Sequence, residues 1–201
     1  MCTSDLFLIT GILLRSRPAA TGVTLGQSLR VFYARRFLRI FPLFYGVLAV
    51  ALILGVGPIR ETWPWHVSYL SNWYYGFHGH EDAVVDPFLH LWSLSVEEQF
   101  YLLWPLVALV AGRGSLLTIL VAMIAGSMAC RVAVAHLAPS VVSLRYLTPN
   151  CMDALAVGGL IAHVRHYRGD AAVRRTAWWL AGIGFIGLFV SVVPLARLTS
   201  A

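Results

Sequence analysis

The sequence predicts a bundle of membrane-crossing helices, and three observations carry that expectation. Of the 201 residues, 59% are hydrophobic and 12% charged, and the mean hydropathy is +0.74, which is not the composition of a soluble domain. Long apolar runs recur between short polar segments. All 15 basic residues are arginines, and they punctuate the apolar runs, as charge that orients a chain in a membrane does. A nucleic-acid surface would gather them on one polar face. Disorder is excluded, because it needs low hydrophobicity and dense charge. Cys2, Cys130 and Cys151 are odd in number and sit in or beside apolar stretches, so they read as small hydrophobes and not as a disulfide framework.

A helix crosses a hydrocarbon core with about 20 apolar residues, or fewer when its neighbours help. On that scale Leu6 to Leu14 is a partial span. Ile40 to Val56 is a full one, with Pro42 in its first turn, where proline has no amide to lose. A third helix starts near Ser95 and continues as Phe100 to Ala111. Leu116 to Leu137 follows with Arg131 inside it, then the shorter Cys151 to Val164, then Ala177 to Leu195. The expectation is an all-α polytopic bundle of about five full spans and one N-terminal fragment, forming a single domain over residues 1–201.

Sidedness follows from the arginines of the short connections. Arg15, Arg17, Arg30, Arg35, Arg36, Arg39, Arg113, Arg165, Arg168, Arg174 and Arg175 fall on one side; Arg60, Arg145 and Arg197 fall on the other. The first group is therefore expected in the cytoplasm and the 57–94 loop outside. The leading stretch lacks the basic n-region of a signal peptide, and it reads as the second half of a helical hairpin.

Four strings are candidates for chemistry. In HLWSLSVEEQFYLLWP, His90 to Pro105, Ser95 and Glu98 have the spacing of a capping box, which gives Glu98 a structural task. Glu97 shares a face with Tyr101 and Trp104 and is the candidate catalytic carboxylate; its alternative task is to favour the positive end of the helix dipole. In RRFLRIFP, Arg35, Arg36 and Arg39 lie three and four residues apart, so their guanidinium groups converge and can grip phosphate, or else anchor the chain at anionic headgroups. Asp153, near the start of an apolar helix, is a functional candidate or a first-turn acid after Thr148, Pro149 and Asn150, with Arg145 within pairing reach. His78, His80, Glu81 and Asp82 suit a solvated loop better than a metal, and no metal is expected. His163 and His166 flank a helix end beside Arg165 and Arg168. Glycine-rich phosphate loops, GxSxG and HExxH are absent from the sequence.

Together these strings resemble the acyltransferase-3 family of bacterial integral membrane O-acyltransferases, which acetylate O-antigen, exopolysaccharide and peptidoglycan. LFLITGILL at Leu6 to Leu14 is similar to the family's SGFLIT helix, and His90 to Pro105 is the most specific match. LTPNCMDALAVGGLIA, Leu147 to Ala162, is similar to a family helix bearing an aspartate. The resemblance implies transfer of an acyl group, most simply acetyl, from acyl-CoA at the cytoplasmic side to a hydroxyl of a carbohydrate or other cell-envelope acceptor. Acyl-CoA is then a substrate, no cofactor is bound, and the protein sits in the bacterial inner membrane. Arg36 and Arg39 fall on the family's RxxR motif as donor ligands with Arg35 beside them, and Glu97 falls on its outer-side glutamate. Tyr101, Asp153 and His90 are possible supporting residues.

The family's catalytic histidine lies on a first helix that precedes the residues matched here, and further helices follow in the family. The chain is therefore expected to be a partial domain, inactive alone. His90 could substitute as the base, although a histidine beside Trp92 also suits an interfacial anchor. Two other classes stay open: a non-catalytic membrane protein, such as a dead paralogue or an assembly partner, and a transporter, which would show internal repeats.

Overall fold

The computed structural model describes residues 2–18, 22–78, 86–137, 144 and 146–198. Among them the chain is all helical: α1 (Cys2–Arg15), α2 (Leu25–Leu54), α3 (Ile59–Val67), α4 (Ser71–His78), α5 (Leu91–Val110), α6 (Arg113–Leu137) and α7 (Thr148–Leu198). α7 is broken at Gly169, whose φ of 79° and ψ of 176° are open to glycine and closed to most other residues.

Several boundaries differ from the sequence expectation. α2 begins 15 residues before Ile40, because Thr24 and Gln27 form a reciprocal capping box (3.1 and 3.3 Å), and Pro42 lies inside the helix. α5 starts at Leu91 and not near Ser95. Its N-cap is His90, which makes no side-chain cap bond, and Ser95 is a buried mid-helix residue whose hydroxyl donates to the Leu91 carbonyl (3.2 Å). Thr148, Pro149 and Asn150 form the first turn of α7, so they do not precede the helix as a cap. The 57–94 loop contains α3 and α4.

Cross-contacts fix the directions of the helices. Trp104 Nε1 donates to Thr10 Oγ1 (2.9 Å), and Arg17 donates to the carbonyls of Ala108 and Ala111 (2.7 and 2.8 Å), so α1 and α5 run parallel. Gly159 approaches Leu6 while Tyr167 bonds Arg17 (2.8 Å), which makes the first part of α7 parallel to both. α2 is antiparallel to α5, with Tyr33 on the Leu102 carbonyl and Arg36 on Glu98. α6 is antiparallel to α7, with Leu120 against Gly159 and Arg131 against Asp153. The main core lies among α1, α5, α6 and α7 around Leu6, Leu13, Phe100, Trp104, Leu120 and Leu155. A second forms where Phe44, Leu48 and Ala51 of α2 meet Ile59, Tyr69 and Phe88.

Away from these cores the apolar side chains turn outward: Leu38 and Leu43 of α2 are 72% and 73% exposed, and Leu102 and Leu103 of α5 are each 67% exposed. Such surface suits lipid and not water. Among the described residues two helices, Leu25–Leu54 and Arg113–His136, are long and apolar enough to cross a membrane. The expected count of five is not reproduced. Glu97, Glu98 and Gln99 interrupt the apolar surface of α5, and Asp153 and Arg165 interrupt the first part of α7. Most side chains of the expected Ala177–Leu195 span lie outside the described residues.

Within the α3–α4 segment, His66 is 1% exposed, and neither ring nitrogen has a hydrogen-bond partner among the described residues. It is packed against the rings of Tyr75 and Phe88. Burial pushes its pKa below the ordinary 6.5, and His90 adds to this while Asp86 opposes it. The folded state thus holds His66 neutral, whereas the unfolded chain takes up a proton as pH falls below about 6.5. Stability attributable to this group is intact above that pH and declines below it, by at most about 1.4 kcal/mol per pH unit. Thermal unfolding between pH 7.5 and 5.5 should show that decline, and His66→Leu should remove it; an identical pH slope in the variant would refute the assignment.

Candidate active site

Glu98 and Arg36 define the site. An arginine and a carboxylate placed inside an apolar bundle are costly unless they meet, and these two do: Arg36 Nε and Nη2 both donate to Glu98 Oε1 (3.0 and 2.6 Å), and their side chains are only 16% and 11% exposed. The guanidinium also lies 3.5 Å from the ring centroid of Tyr101, a cation–π contact on a buried ring. Lysine could reproduce the charge but neither the fork nor the stacking.

The pair borders a cavity of about 740 Å³ between α2 and α5, lined by Tyr33, Arg36, Phe41, Tyr69, Glu98 and Tyr101 among others. Tyr69 adopts a left-handed φ of 54°, uncommon for a side chain of this size. Gln99 holds it there: the amide donates to the Tyr69 carbonyl (2.7 Å) and to Asn72 Oδ1 (2.8 Å), while Gln99 Oε1 accepts from Thr148 and Trp73. The Tyr69 ring stacks on Phe44 (4.7 Å, 18°), and its hydroxyl is buried without a hydrogen-bond partner among the described residues. Burial first, then Tyr45 and Glu98, push that phenol well above its ordinary pKa against a smaller opposing pull from Arg36, so it remains a proton donor.

A second recess of about 470 Å³ lies between α1 and α2, and Arg35, Arg36 and Arg39 all line it, with Ser16, Gln27 and Ser28 also contributing. The three arginines thus border one recess. Arg36 is 11 residues along α2, about 16 Å from its start at 1.5 Å per residue. Arg36 reaches the carboxylate helix, while Arg35 and Arg39 line the recess toward α1. Arg36 lines both recesses.

The other candidates divide. Glu97 is half-buried on α5 directly beside Glu98, and Tyr101 is in the site. Glu98 is not a capping residue but the arginine's partner, because the helix starts four residues before Ser95. His90 lies two turns before Glu97 at the exposed start of α5, within the field of His66, and is not brought to Arg36. Asp153 is elsewhere, between α6 and α7, where it accepts from Arg131 and from Ser127 Oγ (3.2 Å). Arg131 thus takes the place foreseen for Arg145, which lies outside the described residues along with His80, Glu81 and Asp82. His78 stacks on Tyr74 and bonds its carbonyl. Gln99 and Tyr69 were not foreseen; the adjacency of Gln99 to two glutamates in an apolar helix was the available signal for the former.

The described helices place an arginine-lined recess and a carboxylate-bordered cavity on α2, and comparison with known proteins identifies the class of protein. The acyltransferase domain model of the acyltransferase-3 family matches residues 1–199, and the chain belongs to that family. Among curated relatives, peptidoglycan O-acetyltransferase OatA of Listeria monocytogenes is 35% identical over 115 residues, 52% of this chain and 18% of the relative. O-acetyltransferase OatA of Staphylococcus aureus is 30% identical over 50% of this chain and 18% of its own. An uncharacterized protein of Haemophilus influenzae is 36% identical over 52% of this chain and 45% of its own length. These matches span less than half of each relative. No solved structure matches.

Arg36→Ala and Glu98→Ala should each destabilise the protein by about 3 kcal/mol, since each strands a partly buried charge. The double variant should fall well short of the sum, with a coupling of about 2 kcal/mol in a thermal-unfolding cycle. Strict additivity would show that the pair is incidental.

Proposed function

We propose that this chain forms the membrane-embedded site of an O-acyltransferase that moves an acyl group, most simply acetyl, from acyl-CoA to a hydroxyl of a carbohydrate or related cell-envelope acceptor in the bacterial inner membrane. The observation that carries this reading is the sharing of Arg36 between the arginine-lined recess and the cavity beside Glu98 and Tyr69. Phosphates of the donor suit the recess, because guanidinium forks match phosphate oxygens. The thioester then extends to the cavity. The acceptor oxygen attacks the thioester carbonyl carbon, the C–S bond breaks, and the thiolate leaves with the proton that the acceptor gave up. A carboxylate is suited to carry that proton. Glu98 keeps the arginine in place, and the proposed base is Glu97, the adjacent carboxylate of α5. The Tyr69 hydroxyl is a donor available to the developing oxyanion.

The reading is tested in the full-length natural protein with acetyl-CoA and an envelope polysaccharide. Arg36→Ala combined with Arg39→Ala should raise the donor KM, and Glu97→Gln should lower kcat by about 10²- to 10⁴-fold. Wild-type turnover and donor KM in both variants would overturn it.

We also assign the arginine-rich connections to the cytoplasm and residues 57–94 to the outer face, on the arginine distribution. With the native cysteines replaced, Arg60→Cys should react with an impermeant maleimide on intact cells and Arg168→Cys only after lysis; the reverse pattern would invert the orientation.

A further inference from the structure

At the end of the bundle opposite the α3–α4 segment, the structure brings together side chains that neither the recess nor the cavity uses. The C-termini of α1, of α5 and of the portion of α7 before Gly169 meet there with the N-terminus of α6. Arg17 spans them, donating to Ala108, Ala111 and Tyr167. Arg113 lies over the Tyr167 ring, 5.0 Å from its centroid. Beside them His163 is 4% exposed with its Nδ1 unpartnered among the described residues; its ring lies 4.7 Å from that of Tyr167, and Arg113, Arg17, His166 and Arg168 are near enough for their charges to act on it. Arg15 and Arg17 face His166 in turn. Among the described residues the one carboxylate at this end is Asp170, and it is taken by Arg165 at 2.9 Å.

Part of this positive charge is answered by the structure itself. Arg17 neutralises the negative end of α5, and Arg15 bonds the Gly11 carbonyl (3.1 Å). Arg113 and Arg168 bond no such carbonyl or carboxylate among the described residues, and both are exposed. Two guanidinium groups, a phenol and an imidazole gathered about Tyr167, with the one acid at this end among the described residues already paired, are the donor set of a phosphate oxyanion. A neutral sugar would leave the like charges unrelieved.

We infer that Arg113, Arg168, Tyr167 and His163 form a phosphate-binding site at the arginine end of the bundle, separate from the Arg35–Arg36–Arg39 recess. The phosphate can be carried by an anionic phospholipid headgroup at the bilayer surface or by a soluble phosphate compound. The site stands on this geometry alone and does not depend on the acyl-transfer reading.

The test uses the purified full chain in nanodiscs and follows thermal unfolding. Wild type is compared with Arg113→Gln/Arg168→Gln and with the control Arg60→Gln, which changes an exposed arginine at the other end. The first arm raises the phosphatidylglycerol fraction in phosphatidylcholine discs; the second adds inorganic phosphate or pyrophosphate to phosphatidylcholine discs, with sodium chloride matched for ionic strength. A stabilisation of wild type and Arg60→Gln that is weakened at least about tenfold in apparent affinity in the double variant supports the site. The arm in which it occurs identifies the carrier as lipid or soluble phosphate. Equal responses in all three proteins, or none in either arm, overturn the proposal. Should the double variant not fold, Arg113→Lys/Arg168→Lys keeps the charge and removes the fork; an undiminished response there also overturns it.

Discussion

The polar side chains of α5 must be satisfied inside an apolar bundle, and the arrangement of its neighbours follows from how each one is met. Ser95 pairs with Ser71 of α4 (2.8 Å), Glu98 with Arg36 of α2, and Trp104 with Thr10 of α1. Gln99 reaches Asn72 of α4 and Thr148 of α7. A buried donor or acceptor left alone costs about 1–3 kcal/mol, and a charge costs more, whereas each completed bond returns only about 1 kcal/mol net. The polar row therefore contributes less to total stability than to register: a helix that slid by one turn would strand several groups at once.

That constraint also explains why the cavity lies where it does. Arg36 cannot withdraw from Glu98 without exposing an unpaired charge, and the Gln99 bond to the Tyr69 carbonyl keeps the chain in its left-handed turn. Phe41 and Tyr69 then form one wall with their rings, and Phe44 stacks on Tyr69. Polar bonds on one side and aromatic packing on the other keep the space between α2 and α5 from collapsing, even though both helices present mainly apolar side chains to it.

The helical class, the apolar runs and the grouping of Arg35, Arg36 and Arg39 were legible in the sequence because they rest on composition and on a spacing of three or four residues. Helix starts were less so. Ser95 and Glu98 fit a capping box by type, yet the same two residues satisfy tertiary bonds, and spacing alone does not distinguish a serine that caps from one buried against Ser71. Thr24 and Gln27 carry the genuine cap but stand in a polar stretch, where no apolar run advertises a helix. The role of Gln99 was hidden for another reason: its partners lie 27, 30 and 49 residues away, and no local pattern encodes them. The Asp153 partner was similarly a matter of helix pairing, since Arg131 becomes a neighbour only once α6 and α7 run antiparallel.

Direction links the two cationic regions. α1, α5 and the first part of α7 run one way while α2 and α6 run the other, so Arg15, Arg17, Arg113, Arg165 and Arg168 come from different connections to one end. The sequence assigned these five to one side by counting arginines, and the packing gathers them independently through Arg17 and Tyr167. Arg36 belongs to the same group by count but lies deeper, because a guanidinium can leave the polar boundary only if another group replaces its water. Glu98 and the face of Tyr101 do so. Arg15, Arg113, Arg165 and Arg168 at the end of the bundle are exposed, whereas Arg36 depends on the protein, and that dependence ties the α2 recess to α5.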